Sequence, residues 1–128
     1  MDARVIPFFL LIFAFPFEAW ADRDAGRDVF RESCIGCHSI GCSRNGPMLE
    51  GIIGRPAGSV ADFDGYSDAM KDSGIVWDED KLDAYLKDPK SVVSGNSMAG
   101  FGKIENEQER RDLIEFLVQP DKSLDICF

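Results

Sequence analysis

The chain has 128 residues, a length that holds one domain and leaves no room for a second. Its 14 Lys and Arg stand against 23 Asp and Glu, a formal net charge of −9. So acidic a chain lacks the basic face that nucleic acid requires, and outside the N-terminus its hydrophobicity is too low for a membrane bundle.

In chain order, residues 5–17, VIPFFLLIFAFPF, are almost wholly apolar. They are too few to span a bilayer. Ala19-Trp20-Ala21 places small residues at the two positions a signal peptidase reads, and a polar chain begins at Asp22. Residues 1–21 therefore read as a secretory signal peptide, with an uncleaved anchor as the alternative, and residues 22–128 as the mature domain. Export puts the four cysteines in an oxidising compartment. In the mature part Leu, Ile, Val and Phe total 25 residues. That is thin for a self-sufficient core, so something other than side chains is expected to fill the interior.

Residues 25–33 form a short helical stretch with Val29 and Phe30 on one side. Residues 39–60, rich in Gly and Pro, read as loop. Ser67 can cap a short helix over 68–72 that Gly74 ends, and Asp78 a second over 79–87. Leu82, Tyr85 and Leu86 fall at i, i+3, i+4 there, and Pro89 is read as its stop. Residues 91–103 form another Gly-rich loop. The clearest helix covers 107–119: Asn106 precedes Glu109 by three, a weak capping box, and Leu113, Ile114, Phe116 and Leu117 make the apolar face before Pro120. No strand pattern of useful length appears. The fold class is all-α, with short helices and long loops, and long ordered loops in a small domain usually wrap something.

Between the first helix and the first loop lies Cys34-Ile35-Gly36-Cys37-His38. In a CxxCH sequence, cysteines three apart on one turn can each add to a haem vinyl group, and the histidine is then held beneath the iron. His38 is the only histidine in the chain, so bis-His ligation within one subunit is excluded. Two other readings compete. A redox dithiol needs a βαβ setting, and none is patterned here. A zinc site could use Cys34, Cys37, His38 and Cys42. The spacing and the export signal favour covalent haem. For the sixth ligand, Met48, Met70 and Met98 are the soft candidates. Met98, in Gly95-Asn96-Ser97-Met98-Ala99-Gly100 between two helices, is best placed to cover the opposite face.

With these motifs placed, residues 25–119 resemble class I cytochrome c, in the branch of small bacterial cytochromes related to the mitochondrial protein. Gly26 and Phe30 match that family's N-terminal helix, which packs on a C-terminal helix around Leu113 and Phe116. Gly46-Pro47-Met48-Leu49-Glu50-Gly51, then Gly54-Arg55, looks like its proline loop and following arginine. The resemblance implies that the Pro47 carbonyl accepts the ligand histidine's proton. It implies that Tyr66, Ser67 and Trp77 hydrogen-bond a haem propionate, that Arg55 supplies positive charge to it, and that Tyr85 lies near the methionine ligand. The sequence departs from the family at Asn96, which stands where a threonine is usual, two before the methionine.

The function expected is that of a soluble periplasmic carrier of single electrons, a monomer with one haem c and with His38 and Met98 both on the iron. Its partners would be redox proteins: quinol:cytochrome c oxidoreductase as donor, and a terminal oxidase, reductase, dehydrogenase or photosynthetic reaction centre on the other side. The rival classes are a haem enzyme or gas sensor with Met98 detached, and a zinc- or disulfide-stapled binding module. Lys87, Lys90 and Lys103 flank the expected haem edge. With Cys34 and Cys37 on the haem, Cys42 and Cys127 remain. Compartment and reach favour a bond between them over a free Cys127 or an intermolecular bridge.

Overall fold

The computed structural model describes residues 19–127. The apolar stretch read as a signal peptide lies outside them, while Ala19, Trp20 and Ala21, read as the cleavage site, are exposed. Five helices follow: α1 Arg23–Ser33, α2 Asp68–Lys71, α3 Glu79–Lys87, α4 Pro89–Val92 and α5 Glu107–Val118. A 3₁₀ turn, Lys122–Leu124, ends the order. Among the described residues the only β pairing is an isolated antiparallel bridge between Pro56 and Val76. The all-α class expected from the sequence is the one observed.

Each longer helix starts where a side chain takes over the first free backbone donors. The Asp22 carboxylate accepts from the Asp24 and Ala25 amides, so α1 begins two residues earlier than its apolar spacing suggests. Asp78 accepts from Lys81 N–H at the head of α3, and Asn106 from Gln108 and Glu109 at the head of α5. Pro89 departs from the expectation. It does not simply stop α3. It opens α4, because a proline at the first helical position gives up an amide that has no partner there anyway. The loop read as 91–103 therefore starts later, at Val93.

The frame is the crossing of α1 with α5. Phe30 and Phe116, both fully buried, pack with their rings tilted by 53° and centroids 5.7 Å apart. The backbones meet at Gly26, where a Cβ would run into the Asp112 carbonyl. The Asp112 side chain accepts from the Asp22 amide at 2.8 Å, closing the same corner. On the other side of α5, buried Arg110 donates to Asp83 of α3 at 2.7 Å and to the Ile104 and Glu105 carbonyls at 3.0 and 2.9 Å. These bonds fix α3 and the end of the 93–106 segment to one helix.

The tail folds back after α5. Leu124 is buried. The Ile126 amide donates to the Ser39 hydroxyl at 2.9 Å, and the Gly41 amide to Asp125 at 2.6 Å. This brings Cys127 against Cys42, with Cα atoms 5.9 Å and sulfurs 2.03 Å apart.

Candidate functional site

The helices and loops enclose a cavity of about 490 Å³, open at one edge. It is of the size that cofactors and small ligands fill. A packed protein interior leaves few voids larger than a water molecule, so this space is not ordinary core. The sparse core noted in the sequence and this cavity are two views of one property: the interior is shaped for something besides side chains.

Its walls carry the chemistry. The turn after α1, closed by Cys37 and His38 amides donating to the Cys34 carbonyl at 3.1 and 2.9 Å, sets both thiols and the imidazole along one side. His38 Nδ1 lies 2.8 Å from the Pro47 carbonyl oxygen. A carbonyl only accepts, so Nδ1 carries the proton and Nε2 keeps its lone pair. Gly46 makes this approach possible, since a Cβ there would enter the His38 ring. Burial holds His38 below its ordinary pKa, outweighing the Pro47 bond that raises it, and Arg55 lowers it further. The imidazole is thus neutral, the form that binds a metal.

The cysteines separate the competing readings. Burial, with Cys37 nearby, pushes the Cys34 thiol up to about 12. A redox dithiol works through a lowered thiol pKa, which is the opposite. The zinc quartet is broken up because Cys42 turns to Cys127. Among the described residues no group of three or more His, Cys, Asp or Glu could hold a metal ion. A half-buried thiol, Cys34, an exposed one, Cys37, and one imidazole on a single wall fit a haem bound through both sulfurs and ligated by the histidine.

Met98 and Met70 both line the cavity, and Met48 does not. Met98 is held by its backbone: its amide donates to Asn96 Oδ1 at 2.8 Å. Met70 sits in the single turn of α2, half-buried against the core. Arg55, Tyr66, Ser67, Trp77 and Tyr85 also line the cavity. Arg55 donates to the Met48 and Glu50 carbonyls at 2.8 and 3.1 Å, and burial lowers its pKa. The Tyr66 hydroxyl accepts from the Val60 amide at 3.3 Å, and Ser67 caps α2 by accepting from Met70 N–H. The Trp77 ring meets Tyr85 edge-on at 5.0 Å. The Tyr85 hydroxyl, which burial pushes up to about 12, donates to Asn96 at 3.0 Å. Sequence reasoning missed Asn96 and Ser39 as organising residues. A buried asparagine in a Gly-rich loop was the available signal for the first, and nothing in the pattern marked the second.

Comparison with known proteins agrees with this geometry. Residues 24–120 match the family model described as cytochrome c. Cytochrome c-550 of Bradyrhizobium diazoefficiens is 45% identical over 101 residues, covering 77% of this chain and 72% of that protein. Cytochrome c2 of Rhodomicrobium vannielii is 44% identical over 102 residues, covering 77% and 79%. The solved structure of cytochrome cH from Methylobacterium extorquens superposes with a TM-score of 0.71 at 38% identity, covering 77% of this chain and 98% of that one. The sequence, the cavity and these relatives lead to one conclusion: the chain belongs to the cytochrome c family, electron carriers with one covalently attached haem c and not enzymes.

Proposed function

We propose that this protein is a periplasmic monohaem cytochrome that shuttles single electrons, its iron to be held by His38 and Met98. The observation that carries the reading is the His38–Pro47 bond, which leaves Nε2 as a donor atom in a cavity that Cys34, Cys37 and Met98 also line. When bound, the haem supplies an iron that moves between ferric and ferrous states.

The chain's own residues do the rest. Cys34 and Cys37 fix the group covalently to the end of α1. Pro47 holds the His38 ring and makes Nε2 a better donor. Met98, which also lines the cavity, would supply a neutral thioether, which would favour the reduced state and leave no position for substrate. Arg55, Tyr66, Ser67 and Trp77 supply charge and donors to a propionate, which burial would otherwise protonate. Cys42 and Cys127 form a disulfide that fastens the tail. The partners are a quinol:cytochrome c oxidoreductase as donor and, on the other side, a terminal oxidase, reductase, dehydrogenase or photosynthetic reaction centre. Export of residues 22–128 after cleavage behind Ala21 accounts for the compartment, and no described helix is long and apolar enough to cross a membrane.

Met98→Ala tests the ligand assignment. The weak near-infrared sulfur-to-iron band of the oxidised protein should vanish and the reduction potential should fall. Retention of both moves the ligand to Met70, the other methionine on the cavity wall.

A further inference from the structure

The Met98 segment hangs from one side chain. Asn96 is 6% exposed, and its amide makes four hydrogen bonds. Oδ1 accepts from the Tyr85 hydroxyl at 3.0 Å and from the Met98 amide at 2.8 Å. Nδ2 donates to the Pro89 carbonyl at 2.9 Å and to the Val93 carbonyl at 2.7 Å. The two ends of the amide are not interchangeable here. Reversed, Nδ2 would face the Met98 N–H and Oδ1 would face two carbonyls, so the partners themselves fix the orientation.

This amide joins three elements: α3 through Tyr85, α4 through Pro89 and the residue after it, Val93, and the methionine arm. At the far end of the arm the Ile104 amide donates to the Leu86 carbonyl at 2.8 Å. Between those anchors Gly100 and Phe101 are exposed, Phe101 at 83%. The arm's own turn bonds, Phe101 N–H to the Met98 carbonyl at 3.0 Å and Gly102 N–H to the same oxygen at 3.3 Å, hold it to itself and not to the core. The Tyr85 hydroxyl, meanwhile, is committed to Asn96 and so reaches Met98 through its backbone.

We propose that Asn96 is the positioning residue for the sixth iron ligand: its amide holds Met98 closed over the haem and sets how readily an outside molecule can take Met98's place. The proposal rests on Met98 being that ligand. Removing the amide frees the Met98 N–H and leaves the Tyr85 hydroxyl without its partner, so the arm opens at lower cost while the His38 side is untouched.

The test uses oxidised holoprotein titrated with imidazole, which binds only where Met98 has left. Asn96→Ala should tighten apparent imidazole binding by about tenfold or more, the loss of one or two net hydrogen bonds from the closed state. Asn96→Thr, whose hydroxyl can still accept from the Met98 amide, should recover part of the closure. Tyr85→Phe should tighten binding by a few fold, and should add little on top of Asn96→Ala because the two act through the same atom. A merely structural Asn96 would lower the unfolding midpoint and leave imidazole affinity at the wild-type value, and that result overturns the proposal. Should Asn96→Ala fail to fold, unchanged affinity in Tyr85→Phe overturns it equally. Met98→Ala separates the two levels. If it leaves the near-infrared band and the imidazole affinity unchanged, the ligand assignment itself is wrong. If it removes the band while Asn96→Ala changes nothing, only the positioning role fails.

Discussion

Replacing Cys127 by serine isolates the contribution of the C-terminal tail. The proposed bond to Cys42 closes a loop of 85 positions. In the chain-entropy treatment such a loop lowers the entropy of the unfolded chain enough to stabilise the fold by about 4.5 kcal/mol at 25 °C. That is an upper figure, because the tail keeps other holds in the variant: buried Leu124, the Ile126 amide on Ser39 and the Gly41 amide on Asp125. Those contacts also mean that the loss should come through the unfolded state, with little change in the folded one. The expected outcome for Cys127→Ser is a loss of about 2–4.5 kcal/mol. At ~4–8 °C per kcal/mol this corresponds to a thermal midpoint lower by roughly 8–36 °C. The assay is guanidinium unfolding of holoprotein followed by far-ultraviolet circular dichroism, run on the wild type, on Cys127→Ser and on the double serine variant. The single and double variants should be equal, since either one removes the whole bond. The reduction potential should stay near the wild-type value, because neither sulfur touches the cavity. A loss under about 1 kcal/mol would refute the reasoning: either the bond does not form or the unfolded tail is already ordered without it. Disulfide-linked dimers in the wild type would refute it in another way, by showing Cys127 bonded between chains.

Two further outcomes follow from the frame and the surface. Gly26→Ala should destabilise by about 1–3 kcal/mol in the same unfolding assay, although a glycine-to-alanine change inside an open helix gains about 1 kcal/mol; the reversed sign reports the clash with the Asp112 carbonyl. Electron transfer to an acidic partner should slow as salt rises if Lys87, Lys90 and Lys103 form the docking edge, and a rate that climbs with salt assigns control to the net charge of −8 carried by residues 22–128 instead.

The parts of this fold that were legible in the sequence are those fixed by local chemistry. Asp78 and Asn106 announce α3 and α5 because a cap is a bond between residues two or three apart. The CxxCH turn is readable for the same reason, as both thiols and the imidazole lie within one turn. Pro89 misled because one property, a missing amide, serves equally to end a helix and to begin one. Only the space after α3 decides between the two. Asn96 and Ser39 were hidden for a different reason. Each is defined by partners brought close by the fold: Tyr85 lies 11 positions before Asn96, and Ile126 lies 87 beyond Ser39. A periodicity cannot encode contacts at that range. The family resemblance supplied Pro47, Arg55 and Tyr85, but it marked Asn96 only as a departure. The geometry then turned that departure into the most densely bonded side chain of the methionine arm.

The two walls of the cavity are built to different strengths, and under the proposed ligation by His38 and Met98 that difference decides which of the two side chains yields. On the His38 side, the ring is fixed by the Pro47 carbonyl and pressed by Gly46. The backbone after it is paired on one flank by the Leu49 and Glu50 amides, which donate to the Ser39 and Ile40 carbonyls at 3.1 and 2.9 Å. The tail covers the other flank through Ser39, Gly41 and Cys42. The proposed attachment through Cys34 and Cys37 would add to the same wall. On the Met98 side, the stretch with exposed Gly100 and Phe101 lies between the Asn96 amide at its start and, at its end, the Ile104–Leu86 backbone bond and the Arg110 side chain, with no hold on the core between them. Local opening follows the weaker set of bonds, so an outside ligand should enter by displacing Met98 while His38 stays in place. That order suits a carrier: with both His38 and Met98 held in place, the bound group would change oxidation state with little rearrangement of the chain, whereas an arm that opened freely would admit the substrates and gases that the rival haem-enzyme reading requires.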